Sequence, residues 1–196
     1  ANDMVKADCG GCNGCSRCRH GMGNSIILDP YDVYRMTTGM GKSMQELLAA
    51  SVELNVVDGV ILPNLKMQGA EEACAYLDGE GRCSIHLFPL GRYYENGGFS
   101  YFLQTGECAK ENRSKIKVSK WIDTPDLTRN QQFTLQWHDL LHAMEERLTG
   151  EDEGKQREEN LLLLRLFYLL PYEGTIDFYT QFTERMEHWN GQNGQI

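Results

Sequence analysis

The chain has 196 residues, 41% hydrophobic and 24% charged, with a formal net charge of −9. That length can bury a sizeable core. The acidity argues against non-specific binding to nucleic acid or to an anionic membrane, because phosphates are held mainly by clustered Lys and Arg, and a basic protein partner or a small molecule fits better.

The first feature along the chain is CGGCNGCSRC at 9–18, in which Cys9, Cys12, Cys15 and Cys18 recur every third residue with Gly10, Gly11 and Gly14 between them. Glycines let a backbone wrap tightly around whatever the thiols address, and four thiols this close in sequence point to a metal rather than to four small buried hydrophobes. The preceding ANDMVKADCGG has no basic start followed by an apolar run, so no secretory signal is visible. Of three further cysteines, Cys74, Cys83 and Cys108, at least some are expected to be brought back toward this loop by the fold. Seven cysteines in 196 residues lie below the roughly 8–10% that marks a disulfide scaffold, so reduced thiols in a cytoplasmic protein are expected.

After the loop, Asp29-Pro30 opens a helix to about Met40 with Val33, Met36 and Met40 inward and Gly39 and Gly41 at its end. Ser43 and Glu46 have capping-box spacing before a second helix over about 44–54, with Leu47, Leu48, Ser51 and Leu54 along one side. Asp58-Gly59 between β-branched residues predicts a hairpin within 55–67. Cys74 and Cys83 flank AYLDGEGR, whose turn residues would let the two thiols face each other across a second hairpin, and Asn96-Gly97-Gly98 offers a third before Cys108. Lys115, Lys117 and Ser119 alternate with Ile116 and Val118, a period-two strand whose lysines protect an edge or form a docking patch.

Beyond Trp121 the cysteines stop. Thr124-Pro125 opens a helix to about Thr149 with Phe133, Trp137, Leu140, Leu141, Met144 and Leu148 inward, and Gly150 ends it. A helix over about 155–169 contains most of LLLLRLFYLL, which Arg165 interrupts and which falls short of the ~18 residues of a membrane span; it reads as a buried helix. A last helix over about 175–189 carries Ile176, Tyr179, Phe182 and Met186.

Three cysteines at C-x2-C-x2-C spacing are how ferredoxins present three thiolates to one iron–sulfur cube, a remote thiol closing the site. Zinc competes, since C-x2-C is also a zinc half-site for which Cys74 and Cys83 can supply the other half; one zinc ion takes four ligands and leaves three thiols idle. A redox dithiol is the third reading. His20 and His86 beside cysteine segments suit hydrogen bonding to ligands better than ligation, and His138 with His142, four residues apart on a helix, read as a solvated face. Gly39-Met40-Gly41-Lys42-Ser43 lacks the spacing of a phosphate loop, and no Ser-His-Asp or paired-carboxylate constellation stands out.

CNGCSRCRHGMGNSIILDPYD, LPNLKM, the block from Cys74 to His86, FPLGRYYENG and YFLQTGEC ending at Cys108 together resemble the YkgJ-type cysteine-cluster proteins, described as zinc- or iron-chelating domains, over about residues 8–122. The resemblance implies Cys12, Cys15 and Cys18 as the first three thiols of the site. Two positions depart from that pattern: Arg19 stands where the family has a fourth adjacent thiol, with Cys9 additional, and the R-P-x-x-C-R segment before FPLGR is missing. A related branch, the flagellin lysine methylases, couples a similar domain to methyl transfer, and this chain shows no cofactor motif for that chemistry.

The expected fold is α+β and mainly helical: a cysteine-cluster domain over 1–121 with short hairpins and loops around a metal site, followed by a carboxyl-terminal helical bundle over 122–196. The expected function is binding of an iron–sulfur cluster, [4Fe-4S], through Cys12, Cys15 and Cys18 with one or more of Cys9, Cys74, Cys83 and Cys108, in electron transfer, redox sensing or metal handling with a protein partner. The alternatives are a zinc-stapled interaction module and a cluster-dependent enzyme.

Overall fold

The structure is a computed structural model that describes residues 4–8, 20–21, 26–77, 79, 114–117 and 125–193. It is α+β and mostly helical, with short antiparallel strand pairs. It divides into two compact units, one drawn from Ala1–Gly23 and Met67–Leu135, the other from Asn24–Lys66 and Gln136–Ile196.

The second unit begins with residues 26–28, which run beside a strand yet to come, and then enters α1 (Pro30–Met40). Asp29 caps this helix: its Oδ1 accepts from Asp32 N at 2.8 Å and Asp32 Oδ2 accepts from Asp29 N at 3.0 Å. Each acid satisfies an amide the helix cannot. Tyr31, Val33 and Met36 are buried. Gly39 stays within the helix, and Gly41, in the left-handed region at φ 62°, closes it through a hydrogen bond to Thr37 O.

Helix α2 (Met44–Ala50) is capped by Ser43 and Glu46 as the spacing predicts, but it ends at Ala50 rather than 54. The reason is the strand that follows: β2 (Val52–Val57) pairs in full register with β3 (Val60–Leu65), from Val52↔Leu65 to Val57↔Val60. Leu54, expected on the helix's inner side, is therefore on a strand and 44% exposed. Asp58 (φ 51°) and Gly59 (φ 82°) are both left-handed, as the two-residue turn favoured by strand twist requires. Residues 26–28 flank β3 on its other side, with Leu28 N to Pro63 O at 2.9 Å and Leu65 N to Ile26 O at 3.0 Å.

The long helix α3 (Leu127–Leu148) starts two residues later than Thr124-Pro125 predicts, because the cap is Asp126, whose Oδ1 accepts from Arg129 N at 3.0 Å. Phe133, Trp137, Leu140, Met144 and Leu148 are buried, at the helical spacing the sequence shows. Gly150 (φ 85°) reverses the chain. Asp152 caps α4 (Glu153–Leu164) through Gly154 N and Lys155 N.

The helix then widens into a π turn over Arg165–Leu169, closed by Leu170 N to Arg165 O at 2.9 Å. Inserting a residue rotates the faces, so that Leu163, Leu164, Leu166, Phe167 and Tyr168 are all buried while Arg165 faces out. An unbroken α-helix would leave two of these five off the apolar stripe. Pro171 then stops the helix, holding Leu170 in extended backbone.

Helix α5 (Phe178–Asn193) buries Phe178, Phe182, Arg185 and Trp189. Only Phe182 of the four expected inward residues is fully buried; Ile176 precedes the helix and is 41% exposed. The cause is the start: Asp177 Oδ2 accepts from Thr180 N at 2.9 Å, and Gln181 ties down the turn before the helix through Glu173 N, Glu173 O and Ile176 O.

The core of this unit is aromatic. Tyr31 and Phe178 have ring centroids 4.9 Å apart and Trp137 and Phe167 are 5.2 Å apart. Each buried side chain of this size contributes about 1.5–3 kcal/mol. Two polar ties fix the geometry: Tyr168 OH donates to Leu28 O at 3.0 Å, and buried Asn160 accepts from Ile61 N at 2.7 Å while donating to Gly59 O at 3.1 Å.

In the first unit, β1 (Met4–Asp8) pairs antiparallel with β6 (Ser114–Lys117), and β4 (Met67–Gln68) with β5 (Ala73–Cys74). The strand expected over 115–119 is thus present from Ser114, with Lys117 exposed. Among the described residues no helix is long and apolar enough to cross a membrane.

Candidate metal centre

Of the seven cysteines, Cys74 lies among the described residues; Cys9, Cys12, Cys15, Cys18, Cys83 and Cys108 lie outside them, as do His86 and the expected Asn96-Gly97-Gly98 hairpin. Cys74 is a free thiol and 4% exposed. It sits on β5 opposite Met67, with Ala73 opposite Gln68. Gly69 at φ 70° and Glu72 at φ 46° turn the chain between β4 and β5, and Leu77 N donates to Cys74 O at 3.1 Å as the chain turns again.

The chain just after the cysteine loop docks on this hairpin. His20 forms an antiparallel bridge with Ala73, the residue before Cys74, and Gly21 N donates to Glu72 O at 3.0 Å. Gly21 has φ 64°, a conformation natural to glycine, and a side chain there would also approach the Glu72 carboxylate, 3.9 Å from its Oε2.

The chain just before the loop is held as well. Asp8, the residue before Cys9, is register partner to Ser114, six residues after Cys108, and Val5 is partner to Ile116, with an irregularity between Val5 and Asp8. Sequence reasoning missed β1. Its signal is the alternation of Met4, Lys6 and Asp8 with Val5 and Ala7, faint in five residues beside a cysteine motif.

The other sequence candidates lie elsewhere. His142 is exposed and pairs with Glu145 at 3.6 Å, and His138 is half-buried on the same helix. Among the described residues no three His, Cys, Asp or Glu side chains cluster closely enough to hold an ion. In the second unit, a cleft of about 200 Å³ is lined by Thr37, Lys42, Ser43, Tyr168 and Pro171 among others. There the Ser43 N–H and hydroxyl both donate to Glu46 Oε2 at 2.8 Å, which holds the Glu46 carboxyl below the usual carboxylate range. Those donors serve the helix cap.

Compared with protein families, with curated proteins and with solved structures, the chain returns no match.

Proposed function

We propose that the protein binds an iron–sulfur cluster of the [4Fe-4S] type through Cys12, Cys15 and Cys18, with Cys74 the first of the distant thiols to complete the set, and that it serves electron transfer, redox sensing or metal handling. The observation that carries this reading is the His20–Ala73 bridge together with the Gly21–Glu72 hydrogen bond. Cys18 stands two residues before His20 and Cys74 one after Ala73, and two residues of chain span at most about 7 Å.

The donor chemistry fits the group. Thiolates are the ligands of such clusters, and three at this spacing with a fourth from elsewhere is their usual presentation. Bound there, the cluster would supply one-electron chemistry. The chain's own part is to gather thiols onto one loop and to bury the remote one.

Zinc is the second reading, carried by the same bridge because Cys12-x2-Cys15 is also a zinc half-site. The deciding experiment is elemental and sulfide analysis of protein purified without oxygen. We expect iron with acid-labile sulfide and broad absorption near ~400 nm; zinc in a colourless protein would replace the cluster by the zinc module. The Cys15→Ser variant should lose the metal under either reading, and unchanged metal content there would remove the loop from the site.

A further inference from the structure

The β2–β3 hairpin belongs to the second unit, whose residue ranges hold none of the seven cysteines. Its register fixes which backbone groups each strand turns outward. Ile61 N donates to Asn160 Oδ1, Pro63 O accepts from Leu28 N, and Leu65 N donates to Ile26 O. These three residues of β3 therefore turn their backbone groups away from β2, and in an antiparallel pair the residue opposite such a position does the same. Val52, Leu54 and Val56, their register partners, thus line the outer edge of β2.

That edge is open toward the hairpin turn. Leu54 is 44% exposed and Val56 69% exposed, so solvent reaches both residues, and among the described residues no segment pairs with that side of β2. Edges are commonly protected by a lysine, a proline, a bulge or a very short strand. β2 (VELNVV) runs six residues in unbroken register and contains neither Lys nor Pro. Its one charge, Glu53, is on the opposite face from Leu54 and Val56, where its Oε1 accepts from Asn55 Nδ2 at 3.4 Å. Apolar side chains beside outward-turned amides are what strand addition uses.

We propose that the outer edge of β2 pairs antiparallel with β2 of a second copy of this chain, about a two-fold axis through Asn55. A two-fold contact needs a patch that complements itself, and VELNVV does so in this register. Leu54 lies opposite the partner's Val56 and Val56 opposite the partner's Leu54, as two hydrogen-bonded pairs with apolar side chains on one face. On the other face Asn55 meets the partner's Asn55, each amide able to donate and accept, and Glu53 meets the partner's Val57, so no acid opposes another. A register two residues further would bring the partner's Asp58 opposite Ala50, where α2 ends; the Asn55-centred one leaves α2 clear.

The test is sedimentation equilibrium of the full chain from about 1 to about 100 μM, in low and high salt. A monomer–dimer equilibrium is expected. Both copies carry a net charge of −9, so raising the salt should tighten it. Val56→Lys, at an exposed position, should keep the parent's far-UV circular dichroism and weaken the dimer at least about tenfold, and Val56→Ile should leave it within about twofold. Directly opposed residues of the Asn55 kind have Cα atoms about 4.5 Å apart, within disulfide reach, so mild oxidation of Asn55→Cys should give a dimer whose peptide map joins position 55 to itself. A chain that stays monomeric throughout, or a dimer that Val56→Lys leaves intact, would overturn the proposal. So would a monomer that binds a synthetic lysine-bearing strand peptide through Leu54 and Val56, more weakly as salt rises, because the edge would then serve a basic partner.

Discussion

Arg185 is a buried cation, 5% exposed, and its partners explain it. The π turn and Pro171 leave carbonyls that no following amide can reach. Arg185 Nη1 donates to Leu166 O at 2.6 Å and Leu170 O at 3.0 Å, Nη2 donates to Pro171 O at 2.9 Å, and the guanidinium lies 3.6 Å from the Tyr172 ring centroid. Burial pulls its pKa down, yet guanidinium stays charged at any pH the fold survives; burial likewise pushes the Tyr172 hydroxyl up, and that group donates to Phe167 O at 2.9 Å. Replacing Arg185→Met keeps the volume and abandons three carbonyls, so it should cost about 3 kcal/mol in urea denaturation. Arg185→Lys should recover only part of this, because one ammonium cannot reproduce the planar fork. A Met variant within about 0.5 kcal/mol of the parent would show that water reaches those carbonyls.

At the scale of elements, caps and turns decide where each segment stops. Glu46 is fully exposed but accepts from both donors of Ser43, and these hydrogen bonds hold its folded pKa below the unfolded value. A carboxyl depressed in this way binds protons more readily when unfolded, so its stabilisation is present above the unfolded pKa and is lost as pH falls through the folded one. Titration of the Glu46 side chain by NMR should give a midpoint below that of an exposed glutamate, and Ser43→Ala should return it to the ordinary range; an unchanged midpoint would mean that the cap is not formed in solution. The same short-range chemistry made much of the fold legible in the sequence. Asp29-Pro30, Ser43 with Glu46, Asp58-Gly59 and Gly150 act within three or four residues, and each sits where its residue type requires. The misreadings share a different cause. The end of α2 was set by β2 finding β3, the π turn by five large side chains competing for one core, and the phase of α5 by Gln181 gripping the preceding turn. The tie between Asp8 and Ser114 spans 106 residues, and nothing local in MVKAD announces its partner. Of the proposed site, the thiol spacing was plain to read; that the chain on either side of it is clamped was not.

For the whole molecule, the proposed metal site and the apolar core of the thiol-free unit together predict how the protein should unfold. A site that forms only on folding contributes its binding energy, about 10–16 kcal/mol for a structural zinc, to whichever cooperative unit contains it. If the two units were one cooperative block, stripping the metal would shift every probe of unfolding together. Of the three tryptophans, Trp137 and Trp189 belong to the thiol-free unit and are 4% and 5% exposed, and Trp121 belongs to the other by sequence range. In a Trp121→Phe background, fluorescence therefore reports on the thiol-free unit alone, through indoles packed against Phe167 at 5.2 and 6.1 Å. Its urea midpoint should move by less than about 0.3 M when metal is removed, equivalent to about 0.6 kcal/mol at a typical slope. The metal-loaded protein should meanwhile keep exchange protection in the β1–β6 ribbon to higher urea than the stripped one. A fluorescence midpoint that falls in step with the ribbon would merge the two units into a single block and make the metal a staple for the entire chain.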